Sequence, residues 1–294
     1  MNHELKIYRR LTKAARRGDC EALALLFAKG ARIDGRGPTY DAPLAHAAEC
    51  GRADTVSLLI ERGAGINRTD RWRDTALMKA ARNGHLGVVR ILLNAGADHR
   101  PRNHRLETAL TLSARGAHNS VCRTLMDSGA DIDAANCGLW SPLMLAVADD
   151  NLELVDQLLA RGAHLTQTGS IKHHPLLYAQ SAKVAERLIA AGADPGIEVV
   201  QRTPLMRAAA KGNVALAQFL LQNGALLNTR TTLGTALHWA AYAGSAELCK
   251  LLIARGADIE ARDARGLTAR DYAGFSGHPD IARMLETAAR KKAK

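Results

Sequence analysis

Thr75-Ala76-Leu77-Met78-Lys79-Ala80-Ala81-Arg82-Asn83-Gly84-His85-Leu86-Gly87-Val88-Val89-Arg90-Ile91-Leu92-Leu93-Asn94-Ala95-Gly96-Ala97 carries the pattern on which the rest of the chain is built. Leu77, Ala80 and Ala81 fall on one face of a helix opened by Thr75, a residue suited to an N-cap. Asn83-Gly84-His85 interrupts that helix, with Gly84 supplying the left-handed residue that ends it. Val88, Val89, Leu92 and Leu93 recur at helical spacing and predict a second amphipathic helix, closed by Gly96. Neither helix is long enough to stand alone in water, so stacking against neighbours must supply the stability.

The closing Gly-Ala recurs at Gly30, Gly63, Gly96, Gly129, Gly162, Gly192, Gly224 and Gly256. The first five are 33 residues apart, and the next intervals are 30, 32 and 32. A fixed period of this length marks a solenoid, whose units contact mainly their neighbours. In the same register helices open at Ala42, Thr75, Thr108, Ser141, His174, Thr203, Thr235 and Thr268, with a further unit starting near Arg9. The expectation is one all-α solenoid over residues 1–294. Its units lie near 9–41, 42–74, 75–107, 108–140, 141–173, 174–202 (short), 203–234, 235–267 and 268–289, followed by a basic tail at 290–294.

The 294 residues are 47% hydrophobic but only 4% aromatic, so small and aliphatic side chains must do the packing. The net charge of +11 favours acidic partners. The five cysteines include no C-x-x-C pair, which fits a reducing compartment better than a disulfide scaffold. Cys122 and Cys249 take the slot of Val89 and Val155 and read as small buried apolar residues. No signal peptide or membrane span is legible, and a cytoplasmic location is expected.

At this point the chain resembles the ankyrin-repeat family. The residues that carry the resemblance are Thr235-Ala236-Leu237-His238-Trp239-Ala240, Thr203-Pro204-Leu205-Met206-Arg207-Ala208 and the turn Asp263-Ala264-Arg265-Gly266-Leu267-Thr268. The resemblance implies about nine stacked helix-turn-helix repeats with β-hairpin or loop fingers.

Departures from the pattern are informative. Arg9-Arg10-Leu11 replaces a Thr-Pro start, and Glu286 occupies a slot assigned to Leu93, Leu159, Leu221 and Leu252, so both ends read as caps. The unit from His174 to Gly192 lacks three residues, which the spacing assigns to the turn between its helices. The family's turn glycine is identified only at Gly266. Arg73, Leu106, Leu139, Lys172 and Gln201 take its place, which should cost regular turn geometry.

No catalytic constellation, nucleotide loop or zinc motif is present, so neither enzyme activity nor a cofactor is expected. His85, His118 and His278 share one helix-start slot and read as structural. His99 with His104, and His173 with His174, lack the partners a metal site needs, so no metal is expected. Asp149, Asp150 and Glu153 read as a solvated loop.

What remains is surface. By the resemblance, contacts are made by hairpin tips and the exposed side of each first helix. Candidate partner-binding residues are Arg71, Trp72, Arg73, Lys79, Arg82, Arg105, Arg115, Trp140, His173, Tyr178, Arg207, Trp239 and Tyr242. Trp and Arg dominate interface hot spots, and a tryptophan at a turn tip is a poor candidate for the core. The expected role is a monomeric scaffold binding an acidic or acidic-aromatic protein segment. The alternative is nucleic-acid binding through the net positive charge, which would be steeply salt-dependent.

Overall fold

The computed structural model describes residues 3–34, 42–166 and 173–292, with side chains from residue 6 onward. The chain forms two compact units, Met1–Ala146 with Ala160–Ala163, and Val147–Leu159 with His164–Lys294.

In the first unit the helices come in antiparallel pairs: α1 (His3–Arg17) with α2 (Cys20–Ala28), α3 (Pro43–Glu49) with α4 (Ala53–Glu61), α5 (Ala76–Arg82) with α6 (Leu86–Asn94), and α7 (Ala109–Arg115) with α8 (Asn119–Asp127). The pair α9 (Pro142–Ala148) and α10 (Leu152–Ala160) is divided between the units. In the second unit a 3₁₀ turn (Pro175–Tyr178) precedes α11 (Ala182–Ala190). It is followed by α12 (Pro204–Ala210) with α13 (Val214–Gln222), α14 (Ala236–Tyr242) with α15 (Ala246–Ala254), and α16 (Ala269–Phe275) with α17 (Pro279–Lys292).

Within each unit the first helices pack on one another in sequence, α1 to α3 to α5 to α7, and α12 to α14 to α16. The architecture is an all-α repeat solenoid, and no sheet forms among the described residues.

The caps explain the period. Gly96 lies at φ 85°, the Gly96 N–H donates to Leu93 O, and the Ala97 N–H reaches back to Leu92 O at 2.9 Å. That pair of bonds is the Schellman motif, in which glycine takes the left-handed position and the next residue turns inward. Ala97 is accordingly buried, as are Ala64, Ala130, Ala163, Ala193, Ala225 and Ala257.

The first helix ends in the same way, and there glycine answers a second need. A Cβ on Gly84 would lie 2.5 Å from Nδ1 of His118, whose Nε2 sits 3.0 Å from Arg82 O on the preceding repeat. His85 makes the equivalent bond to Glu49 O at 2.9 Å, so these histidines tie one repeat to the last.

At helix starts Thr75, Thr108, Thr203 and Thr268 accept bonds from backbone N–H groups through their hydroxyls, satisfying donors that the helix leaves open. The core is aliphatic. Leu77, Leu92, Leu110, Leu125, Leu143, Leu154 and Leu158 are fully buried, and Cys122 and Cys249 fill valine slots. Burial pushes their thiols up, to about 11 for Cys122 and about 12 for Cys249, so both stay protonated at neutral pH.

Several expectations are corrected. The first helix begins at His3, ahead of Arg9. The three missing residues fall in the first helix of their unit. A four-residue 3₁₀ turn replaces the usual seven-residue helix, and Ala179 at ψ 133° leaves the helical region before Ser181 caps α11. At the C-terminal end Leu252 aligns with buried Leu285, and Ile253 with Glu286. The tail is helical through Lys292, with Arg290 paired to Glu286 at 2.7 Å.

The fingers take the loop form, with isolated antiparallel bridges between Thr69 and Thr75, Val199 and Arg202, and Thr231 and Gly234. They are tight turns, each closed around one Asp or Asn in the clearest cases. The Asp70 N–H donates to Asp74 O, the Arg73 N–H donates to Asp70 O, and Asp70 Oδ1 accepts from the N–H groups of Trp72 and Asp74. Asn103, Asn136 and Asp263 build the same loop. Neighbouring loops are joined by single backbone bonds, from His104 N–H to Trp72 O and from Cys137 N–H to Arg105 O.

The turns keep their left-handed geometry without glycine: Arg73, Leu106, Leu139 and Gln201 have φ of 64°, 57°, 63° and 60°. Gly234, at φ 97°, is a second finger glycine besides Gly266. Lys172 lies outside the described residues.

Candidate interaction surface

Two repeats of the first unit share a charge relay. Asp74 and Glu107 each stand immediately before a capping threonine, with their side chains only 5% and 3% exposed. Asp74 Oδ2 accepts from Arg82 at 2.6 Å, and Glu107 pairs with Arg115 in the next repeat. Asn103 links the two, donating through Nδ2 to Asp74 Oδ1 and to Glu107 Oε2, each at 3.0 Å. Carboxylates this buried are tolerated because every one meets a cation or an amide donor.

The consequence lies on the surface. Arg82 and Arg115 remain 40% and 43% exposed, and each meets its carboxylate through one terminal nitrogen. A guanidinium has five N–H donors, so each has an outward edge left for a further anion. The two line a groove of about 600 Å³ together with Trp72, His104, Arg105 and Leu112. Trp72 is 57% exposed and forms one wall. The Arg71 guanidinium lies 4.6 Å from its ring centre, a cation–π contact that holds the indole upright.

Of the residues expected at the surface of this unit, Trp72, Arg82, Arg105 and Arg115 converge on the groove. Arg71 and Arg73 are exposed outside it. Lys79 is corrected: it is buried, with Nζ 3.0 Å from Asp70 Oδ2 and the residue only 6% exposed, so it supports the finger from beneath. Trp140 is half-buried in the slot occupied by Asp74 and Glu107 in the two preceding repeats. Asp74, Asn103 and Glu107 were missed. The signal for them is present as Asp70-x₃-Asp74-x₇-Arg82 and again as Asn103-x₃-Glu107-x₇-Arg115.

The second unit presents a different face. Arg207 lies over Tyr178, 4.6 Å from its ring centre, and Tyr178 Oη is 2.9 Å from His173 Nδ1. Trp239 is half-buried and meets Tyr242 and Tyr272 edge-on at 6.1 and 6.4 Å. Tyr242 is 54% exposed and Phe275 76%. Tyr272 is fixed from below by its hydroxyl bond to Asp263 Oδ2 at 2.9 Å. Burial works to raise the Asp263 pKa, but the Leu267 N–H, the Tyr272 hydroxyl and Arg265 outweigh it and bring the carboxyl down to about 2.

No helix among the described residues is long and apolar enough to cross a membrane, and no three metal-ligating side chains converge there.

A stack of short helical pairs with side chains offered on fingers and first helices defines a repeat scaffold. Comparison with known proteins makes the class specific. The model "Ankyrin repeats (3 copies)" matches residues 11–103 and 97–169, "Ankyrin repeats (many copies)" matches 220–273, and "Ankyrin repeat" matches 201–232. The chain belongs to the ankyrin-repeat family, whose repeats generally mediate protein–protein interactions.

Among its relatives is the Ankyrin repeat domain-containing protein 37 of Homo sapiens, 41% identical over 88 residues, which is 30% of this chain and 56% of that protein. The Transient receptor potential cation channel subfamily A member 1 homolog of Caenorhabditis elegans is 39% identical over 88 residues, 30% of this chain and 7% of that protein. Protein fem-1 homolog A-like of Mus musculus is 40% identical over 93 residues, 30% of this chain and 14% of that protein. The matches thus cover less than two thirds of each of these relatives.

Proposed function

We propose that the first unit binds an acidic or acidic-aromatic protein segment in the groove walled by Trp72. The observation that supports this most directly is the exposed indole standing beside the outward guanidinium edges of Arg82 and Arg115, with Arg105 at the rim. A ligand carboxylate bridging Arg82 and Arg115 would form charge-assisted bonds without breaking the internal pairs. An adjacent aromatic or aliphatic side chain would cover Trp72. Trp and Arg anchors that become buried on binding supply most of the energy in protein interfaces.

Random peptides displayed against the full chain test the reading. Selected sequences should be enriched in Asp or Glu next to an aromatic residue, and their binding should fall at least about tenfold in a Trp72→Ala, Arg105→Ala variant. Both residues are exposed, so the variant keeps its fold. Selection without acidic enrichment, or undiminished binding to the variant, overturns the proposal.

A further inference from the structure

The first-helix face of the second unit carries three cations without a neutralising carboxylate. Arg202 contacts the Trp239 ring at 5.7 Å, Arg207 contacts Tyr178, and Lys211 Nζ donates to Gln180 Oε1 at 2.6 Å. Among the described residues none of the three takes part in an ion pair.

The contrast with the first unit is a charge reversal in one slot. The residue immediately before the capping threonine is Asp74 or Glu107 there, and Arg202 here. Where the first unit sets a buried acid against Arg82 and against Arg115, the second adds a further cation. The three are close in the chain: Arg202 precedes the Thr203 cap of α12, Arg207 lies one turn in, and Lys211 is the C-cap. The crowding is felt by Lys211, whose pKa is lowered first by burial and then by the charge of Arg207.

Beside these cations stands a fixed aromatic platform. Trp239, Tyr242 and Tyr272 meet edge to face, and the exposed rings of Tyr242 and Phe275 occupy the same slot on adjacent first helices. We infer that this face binds a phosphorylated protein segment, its phosphate monoester held by Arg202, Arg207 and Lys211 and a neighbouring apolar side chain laid on Trp239, Tyr242 and Phe275.

Charge selects the occupant. A phosphate monoester brings about −1.5 to −2 charges and three acceptor oxygens at pH 7, whereas a carboxylate or a nucleic-acid diester brings one. Three unpaired cations are matched best by the dianion. The aromatic platform next to them calls for an apolar side chain on the same ligand. This site is separate from the Trp72 groove and does not depend on it.

The probe is N-acetyl-phosphoserine-tyrosine amide, with its serine and glutamate counterparts, titrated into the full chain. Binding is read from the indole N–H signals of Trp239 and Trp72. The phosphorylated form should saturate, move Trp239 but leave Trp72 unchanged, and bind at least about tenfold tighter than the glutamate form. Arg207→Ala with Lys211→Ala should abolish that preference. Arg202→Glu, on an exposed finger, should do the same with unchanged thermal stability. Affinity should weaken as pH falls through the second phosphate pKa of about 6.

Equal affinity for the three dipeptides, or full binding by Arg202→Glu, overturns the inference. So does inorganic phosphate binding as tightly as the dipeptide, or stronger attachment to phosphatidylcholine vesicles carrying phosphatidylinositol 4-phosphate. None of these results touches the peptide selection on the first unit, so the two proposals fail separately.

Discussion

The Arg82 guanidinium donates to Asp74 Oδ2 at 2.6 Å across eight residues, from the last residue of α5 to the finger that precedes it. The bond fixes a long, mobile side chain before any ligand arrives. It thereby removes part of the ordering cost that weakens flexible sites. The same arrangement at Glu107 and Arg115 places two oriented cations in one groove.

Asp74→Asn tests that relationship. The substitution keeps the shape but removes the charge facing Arg82 and leaves Asn103 without a carboxylate acceptor at that position. Loss of about 2 kcal/mol is expected, the scale of a hydrogen bond to a charged group, read from denaturant midpoints. Peptides selected on the groove should also bind more weakly. Stability within about 0.5 kcal/mol of the parent chain, the scale of an ordinary surface substitution, would show that the buried relay contributes little.

The turn at Val200 and Gln201 stores backbone strain. Val200 and Gln201 form the centre of a turn closed by reciprocal bonds between Val199 and Arg202, with φ of 47° and 60°. Both central residues at positive φ define a type I′ turn, which favours Asn-Gly and strongly disfavours a β-branched residue. Val200 is 70% exposed, so its side chain contributes little packing. Val200→Asn with Gln201→Gly should stabilise the protein by about 1 kcal/mol or more, seen as a higher unfolding midpoint. No gain would mean that the turn relaxes in solution.

The repeat was legible because Gly-Ala is chemistry as well as pattern. Glycine alone takes the left-handed cap without strain, and alanine is small enough for the next position, so every helix pair before the last ends alike. The fingers were harder to read. Arg73, Leu106, Leu139, Val200 and Gln201 adopt a backbone that their side chains disfavour, held by bonds that a one-dimensional reading does not contain. The short unit misled for a related reason: Tyr178-Ala179 carries helical residues, but the chain there lacks the length to complete a second turn. At the site, Trp72 and the arginines were visible by type. Asp74 and Glu107 were hidden because their partners lie on another element, outside any helical or strand period.

Lys79 and Asp70 offer a test of buried charge against its neighbours. Their side chains are 8% and 1% exposed. The next repeat solves the same position without an ion pair, with Asn103 in place of Asp70 and Leu112 in place of Lys79. Lys79→Leu alone should cost about 3 kcal/mol, because it leaves the Asp70 charge buried and uncompensated. Adding Asp70→Asn should restore most of that loss, since an amide oxygen can still accept the finger N–H bonds, as Asn103 does. A double variant no more stable than Lys79→Leu would show that the pair is not the unit of stability. Groove binding should survive in the double variant, separating this lysine from the contact surface.

One histidine of the second unit must stay neutral for the fold to hold. His238 is fully buried. Its Nδ1 accepts from the Thr235 N–H at 3.1 Å, and Nε2 donates to Leu267 O at 3.1 Å, which fixes one tautomer of the uncharged ring. Burial lowers its pKa below the ordinary 6.5, although the Leu267 carbonyl opposes the shift. A depressed histidine binds its proton more readily when unfolded. Its contribution to stability is therefore complete above pH 6.5 and is lost as pH falls from there towards the folded-state pKa. His174 is lowered in the same direction, first by burial, and adds to the effect in the second unit. Unfolding followed by hydrogen exchange at α14 should show protection that falls between pH 7 and pH 5. His238→Ala should start from a lower stability at pH 8 and decline less over the same interval. A parallel decline in the variant would place the acid sensitivity elsewhere.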